Sequence, residues 1–328
     1  MDGMRASIVI AGHNEGDLLW RTVQSTLEAS ADLDREIIVA DDASTDGSVE
    51  EVRRRFPQVR IVASRKRGGP SPTKDRGARA ARGRVLFFLD GHCKPSKGSL
   101  RRMVEDVDDL DGRAIVTPRI PHVDTETWTF HPGIVGYGFN MDLVTFDCGW
   151  IERKYMRREG RFYESPALIG CCAAMSRRLY ERLRGFDSKM IEWGLEDIDL
   201  GFKAWLLGHS ILVDARIAIG HRFQSNFNRY TVSEVSVLYN KLRMARKNFT
   251  EGTWREWVDT TRQGEKETTW NDAWALFSKR RRGVEEERRY LMARRVRDEF
   301  EYAERYGLEW PVERRGKSSV RCGGLVDC

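Results

Sequence analysis

The sequence predicts an α/β protein: a mostly parallel sheet flanked by helices, with a helical C-terminal extension. Three observations carry this. Short, almost wholly apolar runs (ASIVIAG, EIIVADD, VRIVAS, VLFFLD) recur through the first third of the chain. Strands this apolar belong to a parallel sheet covered on both faces. Stretches with helical spacing separate the runs, and polar residues follow them at once, where ligands bind in open α/β sheets.

In chain order, ASIVIAG starts the sheet from residue 6, and a helix is expected from about Asp17 to Ser30. EIIVADD, a helix from Ser48 to Phe56 and VRIVAS follow, then a helix across Thr73 to Ala81 and the strand VLFFLD. Residues 112 to about 166 lose this regularity; with HPGIVGYGF and many aromatics they read as an excursion lining a cleft. SPALIGCCAAMSRRLYERL resumes as a small-residue segment leading into a helix. In WGLEDIDLGFKAWLLG, residues 193 to 208, Leu195, Ile198, Phe202, Trp205 and Leu206 fall at helical spacing. This buries one side, leaves Glu196 and Asp197 near the helix start, and lets Gly208 end the helix. The strand SILVDARIAIG then delivers His221. The rest is helical and mixed in charge. From about 266 to 315 it carries Met292, Val296, Phe300 and Ala303 on one side, expected to pack on the preceding unit, with gripping of a leader peptide as the alternative. The expected units are 1–250, a helical extension 251–315 and a loose tail 316–328.

At 328 residues with 40% hydrophobic and 32% charged residues, the composition is that of an ordinary globular protein. The net charge of +6 comes from arginines scattered among acids. In the Arg-rich stretch 279–297 the interleaved Glu285, Glu286 and Glu287, with Glu299 just beyond, weaken the positive field, so no nucleic-acid partner is expected. No stretch reaches the roughly 18 apolar residues of a membrane span, and MDGMRASIVIAG is not a signal peptide, so the expected location is cytoplasmic. The six cysteines form no C-x-x-C pair and are expected to be reduced thiols.

Asp90-Gly91-His92, at the end of VLFFLD, offers an oxygen and an imidazole two residues apart with a glycine between them that lets the backbone turn. Such a pair can aim at one divalent ion, with His221 as third ligand; a cap or a surface hydrogen-bonded pair is the alternative. Mixed oxygen and nitrogen ligands suit manganese, with magnesium also allowed, and three side chains leave room for a diphosphate. Asp41 can accept from a nucleobase or ribose, and Arg67 and Lys74 supply cations. The alternatives are that Asp41 or Asp42 starts the DASTDGS turn and that the basic run is solvated surface.

AGHNEGDLLWRTVQSTL, IIVADDASTDGS, RGARAARGRVLFFLDGHCKP, IEWGLEDIDLGFKAW and IGHRF together resemble the successive motifs of a GT-A nucleotide-sugar glycosyltransferase. The nearest likeness is to the catalytic domain of the polypeptide N-acetylgalactosaminyltransferases, over roughly residues 6 to 250. The resemblance implies a UDP-sugar donor and Mn²⁺ held by Asp90, His92 and His221. It implies a donor site of Ala11, Gly12, His13, Glu15, Asp41, Arg67, Lys74, Gly91 and Trp193, with Glu196 beside the transferred sugar. That family carries a membrane anchor and usually a lectin domain; neither is recognised here, which suggests a bacterial-type relative. Where the family reads Trp-Gly-Gly-Glu-Asn, this chain reads Trp193-Gly194-Leu195-Glu196-Asp197, resembling inverting GT-A enzymes whose aspartate deprotonates the acceptor. The expectation is an inverting transfer of a hexose or N-acetylhexosamine to Ser, Thr or Cys of a peptide, such as a bacteriocin-like one, with Asp197 as base. Retaining transfer, a polysaccharide or lipid acceptor, a nucleotidyltransferase and a non-catalytic nucleotide-sugar binding protein are the alternatives.

Overall fold

The computed structural model describes residues 4–223 and 231–309. β1 (Ala6–Gly12), β2 (Arg35–Asp41), β3 (Arg60–Ala63) and β4 (Val85–Asp90) alternate with α1 (Asp17–Ala29), α2 (Ser48–Arg55) and α3 (Pro70–Ala80). α3 starts three residues earlier than the spacing suggests, because Pro70 occupies its first turn. β1 pairs in parallel with β2 and β4, aligning Gly12 with Asp41 and Ala11 with Asp90. Both sheet faces are buried. Ile8, Ile10, Phe87 and Leu89 pack with Leu19 and Val23 of α1, while Val9, Leu86 and Phe88 pack with Ala78 of α3. The period of two in apolar runs therefore feeds two cores, which is why the runs lack polar residues.

After β5 (Cys93–Pro95) and α4 (Ser99–Asp109) the chain corrects the expectation of irregularity over 112–166. β6 (Ala114–Asp124), β7 (Thr129–Gly136), β8 (Gly138–Met141), β9 (Cys148–Ile151), β10 (Arg157–Glu159) and β11 (Phe162–Glu164) are strands. Their signal is weak in sequence because β8 and β9 are only 4 residues long and β10 and β11 only 3, and β10 is wholly exposed, too little for a period of two to show. β12 (Cys172–Ser176), α5 (Arg177–Arg182), α6 (Glu196–Leu206) and β13 (Ser210–His221) complete the sheet. Its order is β10-β11-β13-β6-β12-β4-β1-β2-β3, with β5 on β13 and β7 on β6. β12 lies antiparallel to β4 and β6, whereas β13 runs parallel to β6.

α7 (Glu234–Asn248), α8 (Glu251–Gly264), α9 (Glu267–Lys279), α10 (Arg281–Met292) and α11 (Glu299–Tyr306) cover α6. Phe202 and Trp205 share one core with Trp254, Trp257, Trp270 and Tyr302. Trp205 is thus core, its indole N–H donating to the Asp298 carbonyl at 2.9 Å. Beneath it, Lys247 Nζ lies 2.7 Å from Asp187 and 2.8 Å from Asp199, and Arg243 pairs with Asp187 at 2.8 Å. Each charge is buried and each has its counter-charge, which fixes α6 against α7.

The expected single apolar side through Met292, Val296, Phe300 and Ala303 is corrected. The helix ends at Met292, Val296 is 67% exposed, and Asp298 starts a new helix through a capping box with Glu301. Arg281 and Arg282 pair with Glu285 and Glu286 one turn on. Cys93, Cys148, Cys171 and Cys172 are free thiols; Cys322, Cys328 and the expected tail lie outside the described residues. Among the described residues no helix is long and apolar enough to cross a membrane.

Candidate active site

Asp90 ends β4, His92 follows the turn at Gly91, and β5 reverses the chain so that Cys93 pairs with His221 at the end of β13. The Arg222 amide donates to the His92 carbonyl at 3.3 Å, closing the corner. One ligand atom from each of Asp90, His92 and His221 lies within 4.8 Å of the others. The His92 and His221 Nε2 atoms face one another at 3.0 Å, and His221 Nε2 is 3.7 Å from Asp90 Oδ2. Two nitrogens at adjacent positions on one ion, each about 2.1 Å from it, are about 3.0 Å apart. The donor set therefore fits a divalent cation; without one, the same two nitrogens share a hydrogen bond between the rings.

Glu15 stands behind His92, its Oε2 3.0 Å from His92 Nδ1. A Cβ at Gly91 would lie 2.7 Å from Glu15 Cγ, so glycine is what lets this carboxylate reach the ring. Such outer partners hold the tautomer that leaves Nε2 free to ligate. Glu15→Ala is expected to weaken Mn²⁺ binding about 10–100-fold in a calorimetric titration; unchanged affinity would remove Glu15 from the site.

Lys74 joins this corner to the start of α6. Its ammonium is buried, 3.2 Å from Asp90 Oδ1 and 3.4 Å from Glu196 Oε1, and donates to the Gly170 carbonyl at 3.0 Å. Burial opposes the charge on Lys74, but Asp90, Glu196 and Asp197 outweigh it and raise its pKa. For Asp90 the same contest runs the other way: burial pushes the carboxyl up, while Lys74 and the neighbouring imidazoles hold it well below the usual carboxylate range. Asp197 accepts from the Gly170 amide at 3.0 Å and the Ile198 amide at 2.9 Å. Burial, with Glu196 beside it and Lys74 opposing, pushes its pKa up to about 7. Such a group can exchange a proton near neutral pH.

The other rim residues surround this line. Ala11 is buried, and Gly12 packs against Glu15. His13 Nδ1–H donates to the Asp42 carbonyl at 2.8 Å. Asp41 accepts from the Ser44 amide at 3.0 Å, the turn-starting role, at the rim beside Gly12. Asp42 has a function the sequence does not reveal: its two oxygens each accept at 2.8 Å, one from the Gly68 amide and one from that of Gly69, shaping the loop that carries Arg67. A Cβ at Gly69 would lie 1.8 Å from the Glu192 carbonyl oxygen, so this loop abuts the one bearing Trp193. Trp193 is 37% exposed. Its loop has positive φ at Glu192, Gly194 and Leu195 and is held by Asn240 of α7. The buried amide of Asn240 accepts from Ile191 N and donates to the carbonyls of Ile191, Trp193 and Gly194. A lone asparagine inside the apolar run VSVLYNKL was the available signal. Of the other histidines, His209 donates to the Arg113 carbonyl at 2.8 Å and His122 accepts from Phe223 N at 3.3 Å, so both have structural partners.

Residues 7–184 match the model of glycosyl transferase family 2. The chain belongs to that family. Residues 155–226 also match the family described as the N-terminal domain of galactosyltransferase. Mouse polypeptide N-acetylgalactosaminyltransferase 12 is 31% identical over 252 residues, 74% of this chain and 43% of the relative. The family 2 chain thus spans less than half the length of the curated relatives it matches. Among solved structures, GalNAc-T7 with UDP, GalNAc and Mn²⁺ superposes with a TM-score of 0.65 at 23% identity, covering 78% of this chain and 49% of that one. The Pyrobaculum calidifontis mannosyltransferase with GDP-Man and Mn²⁺ gives 0.52 at 17% identity, covering 89% and 86%. These likenesses show the GT-A fold for this family 2 chain.

Proposed function

We propose that this chain is a metal-dependent glycosyltransferase that moves a hexose or N-acetylhexosamine from a UDP-sugar to a Ser, Thr or Cys side chain of a peptide, with inversion. The observation that carries the reading is the closure of Asp90, His92 and His221 around one point, with Lys74 linking it to Glu196, the neighbour of Asp197. Support for donor and acceptor comes from relatives that are polypeptide N-acetylgalactosaminyltransferases and from a fold neighbour bound to UDP, GalNAc and Mn²⁺.

Asp90, His92 and His221 would hold the ion, Mn²⁺ or Mg²⁺, which when bound neutralises charge on the departing diphosphate. Ala11, Gly12, His13 and Asp41 form the nucleoside edge, and Asp42 shapes the loop that brings Arg67 to the phosphates. Lys74 positions Asp90 and Glu196 rather than meeting solvent. Trp193 borders the sugar, and Asp197 takes the acceptor proton as its oxygen or sulfur attacks the anomeric carbon. The test is a panel of UDP-sugars with Mn²⁺ or EDTA, reading UDP release, followed by NMR of the product anomer. UDP release is expected from at least one sugar and is lost in EDTA; metal-independent release, or none, overturns the reading, and retained configuration overturns the base assignment.

A further inference from the structure

Trp150 and Tyr155 are among the few exposed large hydrophobic side chains of the described residues, 45% and 72% exposed, and both lie on the segment from β9 to β10. A chain of ring contacts connects that segment to the metal corner. His221 meets Phe223 at 4.8 Å between centroids, Phe223 meets Trp150 at 5.4 Å, and Trp150 meets Phe139 at 4.4 Å. A Cβ at Gly136 would lie 1.9 Å from the Trp150 ring, so the indole lies against the end of β7. One residue on, Tyr137 opens a groove of about 560 Å³ lined also by Val135, Glu152, Arg153, Lys154, Met156 and Tyr163.

Among the described residues the charges along this groove are not fully balanced. Lys154 pairs with Glu152 at 3.0 Å, Arg161 with Asp106 at 2.7 Å and Asp109 at 2.6 Å, and Arg157 points to Glu164. Arg153 lies over the rings of Tyr137 and Tyr163, and Arg158 is the cross-strand partner of Tyr163. Arg158 donates through Nε to the Gly160 carbonyl at 2.9 Å, and among the described residues neither guanidinium has a carboxylate within ion-pair distance. A guanidinium held over an aromatic ring presents its donor fork outward, the geometry that binds a carboxylate through two hydrogen bonds.

We infer that this groove reads the acceptor: it takes an extended peptide whose acidic side chains flank the residue to be modified, with Arg153 and Arg158 meeting the carboxylates and Trp150 covering the segment nearest the metal corner. This rests on the peptide-acceptor reading. Glu152 and Glu159 on the same segment disfavour a phosphate backbone with its closely spaced charges, so the partner is an acidic peptide rather than a nucleic acid.

The experiment uses the full chain with UDP and Mn²⁺. Fluorescence anisotropy measures binding of a synthetic threonine peptide flanked by glutamates, and of its glutamine and lysine counterparts. The glutamate peptide should bind about tenfold tighter than the lysine peptide at low salt, with the gap closing as salt screens it. The double variant Arg153→Glu, Arg158→Glu should invert the order while leaving peptide-free UDP release unchanged. Equal binding of the three peptides, survival of the preference in the double variant, or an equally tight single-stranded oligonucleotide would overturn the inference. Failure of the underlying reading looks different: the preference holds and inverts as stated, yet mass spectrometry finds no sugar on any peptide. Sugar on all three peptides with no preference keeps the reading and sinks the groove.

Discussion

Replacing His92 with alanine should lower Mn²⁺-dependent UDP release by about a thousandfold. On the proposed reading the ring supplies one of three ligands, and its Nε2 stands 3.0 Å from that of His221. A metal that stabilises charge on a leaving diphosphate contributes several kcal/mol to the transition state, and about 1.4 kcal/mol is tenfold in rate. The loss should appear in manganese affinity as well as in turnover, which separates a ligand from a residue that merely packs. Glu15 loses its hydrogen bond to His92 in this variant, and one such bond contributes about 1 kcal/mol, so stability should drop modestly without unfolding. Asp90→Asn, which keeps the shape of the side chain, guards against misreading that drop. Activity that survives both substitutions, or that is indifferent to EDTA, would sever the three residues from the chemistry.

Asp197→Asn should cost about 10²–10⁴ in rate, the usual contribution of a positioned general base. The amide oxygen can keep one of the two backbone donors, Gly170 N or Ile198 N, so the start of α6 should hold. Because the carboxyl is pushed up to about 7, the wild-type rate should rise with pH toward that value and level off there. With a divalent cation bound, the plateau comes lower, since that charge acts on Asp197 in the same direction as Lys74. Stability supplies an independent readout. A carboxyl whose folded pKa lies above its unfolded 3.8 binds more protons folded than unfolded between the two values. Stability therefore falls as pH rises through that window, and the amide variant should lose this part of the dependence. A variant that transfers sugar at nearly the wild-type rate, with retained configuration, would show that no side-chain base is used.

Much of this architecture was legible because the relevant signals are local. VLFFLD must be buried on both faces, and the polar residues following ASIVIAG, EIIVADD and VLFFLD had to emerge at one rim, as Ala11 beside Asp90 and Gly12 beside Asp41 do. The strands from β8 to β11 were not legible, because 3 or 4 residues are too few to show an alternation and the exposed β10 has none to show. The break between Met292 and Asp298 was hidden by apolar residues that keep helical spacing while the backbone leaves the helix. Glu15 and Lys74 were recognisable as members of the site, but not as supports standing behind other residues. Burial and the direction of a side chain depend on what packs against it.

By itself the sequence determined the parallel α/β core, the strand-end residues at its rim and the family motifs, since these depend on spacing along one chain. Tertiary structure alone decided that the Nε2 atoms of His221 and His92 face one another at 3.0 Å, that Lys74 connects Asp90 to Glu196, and that burial raises the pKa of Asp197. Those facts arise from residues far apart in sequence sharing one weakly solvated volume, where charge and burial act through space rather than along the backbone.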